Sequence, residues 1–201
     1  MFLIRKPSAT TIEAFLSAQK GQRFSYLEVG ASRWAAPSGY KIDHNRVMLG
    51  YGEETFAAAV AAVRAWHMFN LGWCRVYPVE APVEIGTMVA VVIRHFGFWS
   101  LNACRIVYVL EESGALRRYG FAYGTLPEHG EAGEERFSVE WDRADGSVWY
   151  DLYAFSRPQP LMARIGYPLA RMLQKRFARE SKLAMMRAVN GEDSQHRARL
   201  T

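Results

Sequence analysis

The sequence predicts an α+β fold, in which a curved antiparallel sheet of about seven strands packs around a long C-terminal helix. The first observation behind this prediction is a long helical pattern of apolar residues near the end of the chain. The second is a series of six strand-like segments that precede this pattern and are joined by short turns. Short connections indicate antiparallel neighbours, because parallel strands need long crossovers.

The C-terminal helix is predicted over residues 160–189, where apolar residues recur at helical spacing. Its apolar face, which we expect to be buried against the sheet, comprises Leu161, Ile165, Leu169, Met172, Leu173, Phe177, Ala184 and Met185. Burial of this face leaves a basic face to water, namely Arg171, Lys175, Arg179 and Lys182. Pro168 is expected to kink or restart the helix near residues 166–167, and Asn190-Gly191 supplies a left-handed stop.

Residues 1–36 are predicted to form an N-terminal extension of one helix and one strand. The pattern Thr10-x-x-Glu13 fits a capping box and predicts a helix from Thr11 to about Gln19. Residues 24–29 alternate weakly between apolar and polar side chains, which indicates a short strand.

The main sheet is predicted to begin with a strand over residues 40–49. A helix follows from Glu53 to about Phe69, and its acidic first turn suits the helix dipole. The six strands after this helix are predicted at residues 73–79, 87–96, 102–110, 117–125, 135–141 and 147–155. Asp145-Gly146 is the sharpest hairpin signal in the chain, because this pair adopts the positive φ angles of a tight turn.

Length and composition indicate one domain, residues 1–189, followed by a polar tail, residues 190–201. No apolar stretch approaches the roughly 18 residues of a membrane-spanning helix, and the apolar opening of residues 1–4 is too short for a signal peptide. The two cysteines, Cys74 and Cys104, are expected to be buried thiols. These features predict a cytoplasmic protein.

The net charge of +5 is unevenly distributed, since residues 157–201 carry the positive excess and residues 1–156 are slightly acidic. A solvated helix face explains this excess, and an anionic membrane or a nucleic acid is the alternative partner. The helix uses its apolar face internally, so we expect no membrane insertion. We also expect no specific nucleic acid binding, because the basic face offers no aromatic side chains among its cations.

Long motifs run through the chain beyond these periodic patterns. They are Gly39-Tyr40-x-x-Asp43-x-x-Arg46, Leu49-Gly50-x-Gly52, Trp66-x-x-Phe69-x-x-Gly72-Trp73, Arg105-Ile106-Val107-Tyr108, Gly120-Phe121-Ala122-Tyr123-Gly124-Thr125-Leu126-Pro127-x-His129, Gly133-Glu134-Glu135-Arg136-Phe137, Ala154-Phe155-Ser156-Arg157-Pro158 and Pro168-Leu169-Ala170-Arg171. In these motifs the chain resembles the DUF1990 family, also called UPF0548, and the resemblance covers about residues 24–189. The resemblance implies the helix-grip fold of the Bet v 1-like and START-like group, and it implies no particular activity or catalytic residue.

The densest polar group outside the C-terminal helix lies at residues 123–136, which we expect to contain a long loop between two strands. His129 is a candidate general base there, with Glu135 orienting it or acting as an acid. Tyr123 is the third weak candidate for catalysis. The alternative is a solvated loop whose charges pair with each other.

Candidate ligand-binding residues come mainly from the strands. They are Asp43, Arg46, Arg105, Tyr108, Tyr123, Trp141 and Arg157. Alternation places Asp43 and Arg46 on opposite faces, and it places Ile106 and Tyr108 on one face with Arg105 on the other. An arginine inside the concavity needs a carboxylate partner, and Asp43 or Glu135 is suitable. Structural ion pairs, and an aromatic core in place of a pocket wall, are the alternatives for these residues.

Several sequence motifs of known chemistry are missing. The sequence has no Walker loop, no complete dinucleotide fingerprint and no Gly-x-Ser-x-Gly nucleophile elbow. Its five histidines lack the spacing of metal ligands, so we expect neither a metal nor a cofactor.

These observations favour a protein that binds a small, largely apolar molecule between the sheet and the C-terminal helix. An enzyme of hydrolase or proton-transfer type that uses polar residues of the same cavity is the first alternative. An interaction protein that uses the basic C-terminal helix is the second.

Overall fold

One antiparallel sheet and one long helix account for most of the chain in the computed structural model, which describes residues 1–34, 37–158 and 167–191. The helices are α1 (Ala9–Ala18), α2 (Gly52–Arg64) and α3 (Tyr167–Val189). The strands are β1 (Phe2–Leu3), β2 (Lys41–Tyr51), β3 (Cys74–Tyr77), β4 (Met88–His95), β5 (Phe98–Glu112), β6 (Leu116–Thr125), β7 (Glu131–Asp142) and β8 (Ser147–Pro158).

The strands lie in the order β2-β8-β7-β6-β5-β4-β3, and every neighbouring pair is antiparallel. The short strand β1 pairs with β5 outside this path. Helices α2 and α3 contact each other and pack against the same face of the sheet, which we call the concave face. The predicted α+β helix-grip fold is therefore confirmed.

The core lies between the concave face and the two helices. Its fully buried side chains include Phe121, Phe137, Tyr150 and Leu152 from the strands. Helix α2 contributes Phe56 and Val63, and helix α3 contributes Ala184 and Met185. Cross-strand register places Phe121 opposite Phe137, and Phe137 opposite Leu152. Every second residue of each strand thus contributes to one apolar layer.

The predicted helix over residues 53–69 is divided in two. Helix α2 ends at Arg64, and a 3₁₀ turn forms at His67–Phe69. Trp66 separates them with a φ of 57°, and its indole Nε1 donates a 2.8 Å hydrogen bond to the carbonyl of Ala81. The buried indole therefore fixes a chain reversal that apolar spacing alone did not indicate.

The inward face of α3 differs from the predicted one. Met172 is 48% exposed, whereas Arg171 and Gln174 turn toward the sheet. Further along the helix, Ala178 and Ser181 are buried. Met172 fits the apolar spacing that predicts the inward face of the helix, and polar residues do not count toward that spacing. In the structure, the sheet supplies polar partners for Arg171 and Gln174, so these two side chains face inward. The predicted residues Leu161 and Ile165 lie outside the described residues.

The N-terminal extension departs from its prediction at two points. Helix α1 begins two residues earlier than expected, and Ser8 caps it by accepting a 3.1 Å hydrogen bond from the Thr11 amide. The strand predicted at residues 24–29 is wrong, because this segment is irregular. It lies on the convex face of the sheet, where the Ser25 amide donates to the Thr125 carbonyl. Side-chain packing holds the segment there in place of strand pairing.

Candidate functional site

A cavity of about 620 Å³ lies between the concave face and helix α3. The sheet lines it with apolar side chains that include Val91, Ile93, Leu152 and Ala154. The helix side includes Leu169, Leu173, Phe177 and Ala178. Phe69, from the 3₁₀ turn after α2, and Trp73 complete the apolar part of the wall.

Two polar side chains meet in the middle of this apolar wall. Tyr123 of β6 and Glu135 of β7 stand directly opposite each other in the sheet, and both line the cavity. The Tyr123 hydroxyl donates a 2.7 Å hydrogen bond to Oε2 of Glu135. The pair is a carboxyl group and a phenol held side by side in an apolar enclosure.

The protonation of this pair is shifted by its surroundings. The pKa of Glu135 is raised to about 7, mainly by burial; the hydrogen bond from Tyr123 opposes this shift, and the negative charges of Glu131 and Asp43 add to it. Burial, followed by the charge of Glu135, raises the pKa of Tyr123. Glu135 therefore exchanges a proton near neutral pH, whereas Tyr123 remains a hydrogen-bond donor.

A second polar group lies where α3 begins and crosses the ends of β2, β7 and β8. The side chain of Gln174 donates both to Glu131 and, at 3.3 Å, to the hydroxyl of Ser156. Burial raises the pKa of Glu131, and the hydrogen bond from Gln174 opposes this shift. These contacts attach α3 to β7 and β8 through neutral donors.

Asp43 and Arg171 form the ion pair of this group. Arg171 Nη2 donates a 2.7 Å hydrogen bond to Asp43 Oδ1, and its Nη1 donates to the other carboxylate oxygen. The bond from Arg171 lowers the pKa of Asp43. The geometry is bidentate, which makes the pair a specific link between β2 and α3.

His129 lines the same cavity from the five-residue connection between β6 and β7. Its Nδ1 accepts a 3.0 Å hydrogen bond from the Glu131 amide. Burial lowers the pKa of His129 to about 4, so the ring is neutral at physiological pH. The loop predicted between the strands at residues 117–125 and 135–141 is shorter than expected, because β7 begins at Glu131.

The convex face has a separate polar centre at Glu134, whose side chain is buried. One carboxylate oxygen accepts from the Tyr26 hydroxyl at 2.6 Å and from the Gly30 amide at 2.7 Å. The other accepts from the Ser32 amide at 3.0 Å and from the Ser32 hydroxyl. Glu134 thus anchors the N-terminal segment to the outside of the sheet, and donors occupy both oxygens.

An ion network continues along the convex face from this anchor. Asp151 accepts from Arg136 at 2.9 Å and from His44 Nε2 at 2.6 Å. Glu140 accepts from Arg46 at 2.6 Å and from Arg118 at 3.0 Å. These contacts place Arg46 outside the cavity, as the alternation from Asp43 requires.

Two further candidate arginines also lie outside the cavity. Arg105 stacks over the ring of Phe24, with its guanidinium carbon 4.3 Å from the ring centroid. Arg157, predicted as a ligand-binding residue, stacks in the same way over Tyr40 at 4.7 Å and does not line the cavity. The arginine that pairs with Asp43 comes from α3 and not from β5, since α3 crosses the concave face at that point.

Tyr108 and Trp141 were placed incorrectly for different reasons. A register shift between Ile106 and Tyr108 rotates the strand, so that Ile106 is in the core and Tyr108 faces the convex side. There the Tyr108 hydroxyl makes a 2.7 Å hydrogen bond with Ser32. Trp141 packs against Phe56 of α2, with ring centroids 5.9 Å apart, and it does not line the cavity.

The sequence did not predict Glu131 and Gln174 in the cavity, Arg171 as the partner of Asp43, or Glu134 as a buried centre on the convex face. The adjacent pair Glu134-Glu135 in a strand was the available signal, because neighbours in a strand face opposite sides. For Gln174 and Arg171 the available signal was that one face of the predicted α3 helix carries both polar and apolar residues. Such a face can pair with polar residues at the ends of strands.

Within residues 1–34, 37–158 and 167–191, no three His, Cys, Asp or Glu side chains are placed to hold a metal ion. Likewise, none of the helices in these ranges has the length and apolar character needed to cross a membrane.

Comparison with known proteins relates the chain to a family of unknown activity. The model of the family DUF1990, described as a domain of unknown function, matches residues 25–184. A UPF0548 protein of Dictyostelium discoideum is 33% identical over 213 residues, which cover 96% of this chain and 98% of that protein. A UPF0548 protein of Deinococcus radiodurans is 38% identical over 200 residues, which cover 94% of this chain and 98% of that protein.

Among solved structures, the hypothetical protein jhp0584 from Helicobacter pylori superimposes with a TM-score of 0.50. The two chains are 15% identical, and the match covers 82% of this chain and 96% of that chain. At this level of identity the likeness concerns the fold alone.

Proposed function

We propose that this protein, which belongs to the DUF1990 (UPF0548) family, binds a small and largely apolar molecule in the cavity between its sheet and α3. Binding without chemical conversion is the function that the geometry supports best. The basic face of α3 is not proposed as a binding surface for a macromolecular partner.

The observation that carries the proposal is the cavity itself. Its volume of about 620 Å³ is within the range typical of ligand sites. Apolar atoms form most of its wall surface, and polar or charged side chains line the remainder, among them Glu135, Gln174 and Lys182. Close packing is the rule in protein interiors, so an apolar space of this size supports a role in binding.

A titration with the uncharged fluorescent dye Nile red tests the proposal. We expect saturable binding with one dye per chain. Ala154 lines the cavity from β8, and Ala154→Phe should weaken binding at least about tenfold because the larger ring occupies the ligand's space. The matched control is Ala57→Phe, which places the same ring on the exposed side of α2.

Two results would contradict the proposal. One is the absence of saturable dye binding to the wild-type protein. The other is equal weakening by Ala154→Phe and Ala57→Phe. If the proposal holds, native mass spectrometry of protein purified from its own host would identify the ligand class, because a bound molecule adds its mass to the folded chain.

A second candidate function is an enzyme of hydrolase or proton-transfer type. The observation that favours it is the Tyr123–Glu135 pair, because a carboxyl group with a pKa of about 7 suits a general base at neutral pH. Arg105 has no role in this candidate, since it lies on the opposite face.

Deuterium exchange of ketone α-protons, followed by NMR, tests the proton-transfer form of this candidate. The wild-type protein should accelerate exchange in an apolar aryl ketone, and Glu135→Gln should remove the acceleration. Equal rates in the two proteins would exclude Glu135 as the base.

We also propose that the protein resides in a reducing compartment such as the cytoplasm. Cys74 and Cys104 are both buried and form no disulfide. Burial raises the pKa of each thiol, which keeps it protonated and unreactive. Intact-mass measurement after purification without reductant should find both thiols unmodified, and oxidised forms would argue against this location.

A further inference from the structure

One oxygen of Glu135 is open to the cavity. Oε2 accepts the hydrogen bond from Tyr123, whereas Oε1 has no hydrogen-bond partner among the described residues and is not sealed from the cavity. A buried carboxylate normally has donors on both oxygens. The open oxygen is therefore a position where a ligand donor completes the site.

The charges nearest to Glu135 favour a cation at this position. The carboxyl groups of Glu131 and Asp43 are close enough for their negative charges to raise the pKa of Glu135. Gln174, a neutral donor, bonds to Glu131. The guanidinium of Arg171 already makes two hydrogen bonds to Asp43. The cations Lys175, Arg179 and Lys182 also line the cavity. Lys175 and Arg179 are exposed, so water screens their charges, and the half-buried Lys182 donates a 3.4 Å hydrogen bond to Asn45 Oδ1.

Aromatic rings stand beside the same carboxyl group. Phe69 lies 6.1 Å from Tyr123 and 5.0 Å from Phe177, measured between ring centroids, and all three residues line the cavity. Aromatic faces attract ammonium groups and also accept the apolar body of a ligand. An anionic ligand gains from neither the rings nor the open carboxyl oxygen.

We infer that the ligand of this cavity is an apolar molecule with a protonated amine, and that the ammonium group donates a hydrogen bond to Oε1 of Glu135. This inference rests on the proposed binding function and names the ligand class for it. A neutral hydroxyl group also reaches the open oxygen, but a charge-assisted hydrogen bond is the stronger contact.

Calorimetric titration with three ligands of equal chain length tests the inference. These ligands are 1-aminodecane, 1-decanol and decanoate, each kept below its micelle concentration. At pH 7.5 the amine should bind at least about tenfold more tightly than the alcohol. Decanoate should bind most weakly, because its charge repeats that of Glu135.

Two variants locate the preference. In Glu135→Gln, the amine and the alcohol should bind within about twofold of each other, because the amide lacks the negative charge. In Glu128→Gln, which neutralises a half-exposed carboxyl group outside the cavity lining, the preference for the amine should remain within about threefold of wild type. Unchanged Nile red binding shows that each variant is folded.

A pH series on the wild-type protein tests the inference without any substitution. Between pH 7.5 and 5.5 the preference for the amine should fall at least about fivefold, as Glu135 takes up a proton. The amine itself stays protonated, since alkyl ammonium groups resemble lysine with a pKa near ~10.4.

Other titratable groups near Glu135 are not expected to cause the fall in amine preference between pH 7.5 and 5.5. His129 is neutral across the range, because its pKa is about 4. The pKa values of Asp43, Tyr123 and Cys74 are shifted away from the range. The basic side chains of α3 on this side, Arg171, Lys175, Arg179 and Lys182, remain in Glu135→Gln, so the same series on that variant reports their contribution. Glu131 is the remaining carboxyl group near Glu135, and repeating the pH series with Glu131→Gln removes its contribution.

The outcomes separate the two proposals. Equal binding of amine and alcohol by wild type, tighter binding of decanoate, or an amine preference that survives in Glu135→Gln would each overturn the inference while leaving an apolar binding site. A wild-type protein that binds none of the three ligands and no Nile red would overturn the proposed function as well.

Discussion

Glu134 and Glu135 adjoin each other in β7, and the pleat sends their side chains to opposite faces of the sheet. On the convex face, Glu134 accepts hydrogen bonds on both oxygens from Tyr26, Gly30 and Ser32. On the concave face, Glu135 accepts one hydrogen bond from Tyr123, and its other oxygen faces a cavity. The same residue type is thus fully satisfied on one face and incompletely satisfied on the other.

This difference in hydrogen bonding gives the two glutamates different roles, since Glu134 stabilises the structure and Glu135 is available to bind a ligand. A carboxylate with a donor on each oxygen has no capacity left for a ligand, and its removal leaves buried donors without partners. A carboxyl group with an open oxygen and a pKa of about 7 is poorly suited to stabilising the fold and well suited to contacting a ligand. The convex centre therefore holds the N-terminal segment, and the concave centre is the candidate site.

The largest expected effect is on the convex face. Glu134→Ala should lower the free energy of unfolding by about 3–5 kcal/mol, because the Tyr26 hydroxyl and the Gly30 and Ser32 amides lose their acceptor inside the protein. Urea denaturation measures the loss, and hydrogen exchange should show faster exchange at Gly30 and Ser32.

The control for this prediction is Glu128→Ala, which removes a half-exposed carboxylate near the N-terminal amino group. It should change the free energy of unfolding by less than about 0.5 kcal/mol. If both variants lose the same stability, Glu134 is not the anchor of the N-terminal segment.

The next effect is on the concave face and depends on pH. The folded-state pKa of Glu135 lies above its unfolded value, so the wild-type protein loses stability as pH rises from about 4.5 through about 7. Glu135→Gln should therefore match wild type near pH 4.5 and exceed its free energy of unfolding by about 2–3 kcal/mol at pH 8. Denaturation across this range measures the difference, and parallel pH profiles for the two proteins would be evidence against it.

A smaller effect tests how closely the N-terminal segment packs. A Cβ atom at position 124 meets the Tyr26 hydroxyl and lies 2.9 Å from Cδ1 of Phe24. Gly124→Ala should lower the free energy of unfolding by about 1–3 kcal/mol, because the segment has to shift outward. Gly72→Ala is the control, since a Cβ atom there has nothing within 4 Å. A neutral Gly124→Ala would mean that the segment is loosely held.

The smallest expected effect concerns the outer face of α3. Lys175 and Arg179 are exposed, so reversing both to Glu should change the free energy of unfolding by less than about 1 kcal/mol. We also expect no sedimentation of the wild-type protein with anionic liposomes, and no retention of nucleic acid on filters, at about 150 mM salt. Wild-type retention that the double reversal abolishes would instead show a partner for this basic face.

The family and the order of the elements followed from the sequence. The resemblance to DUF1990 is confirmed by the family match over residues 25–184. All six strands predicted after α2 are present, because alternating side chains and turn residues such as Asp145-Gly146 are local signals. Asp43 and Arg46 also face opposite sides as predicted, since β2 follows a regular pleat between them.

Other site residues required the tertiary structure. A register shift in β5 turned Tyr108 away from the cavity, and alternation along a sequence does not reveal such a shift. The irregular path of residues 24–29 depends on Glu134, which is more than a hundred residues away in the chain.

The sequence by itself determined the elements and the sides of the regular strands, because periodicity and turn chemistry act between near neighbours. Only the tertiary structure decided that Glu135 borders a cavity while Glu134 anchors a segment. It also decided that Arg171, and not Arg105, pairs with Asp43. The physical reason is that desolvation and hydrogen-bond satisfaction depend on which distant elements pack against each side chain.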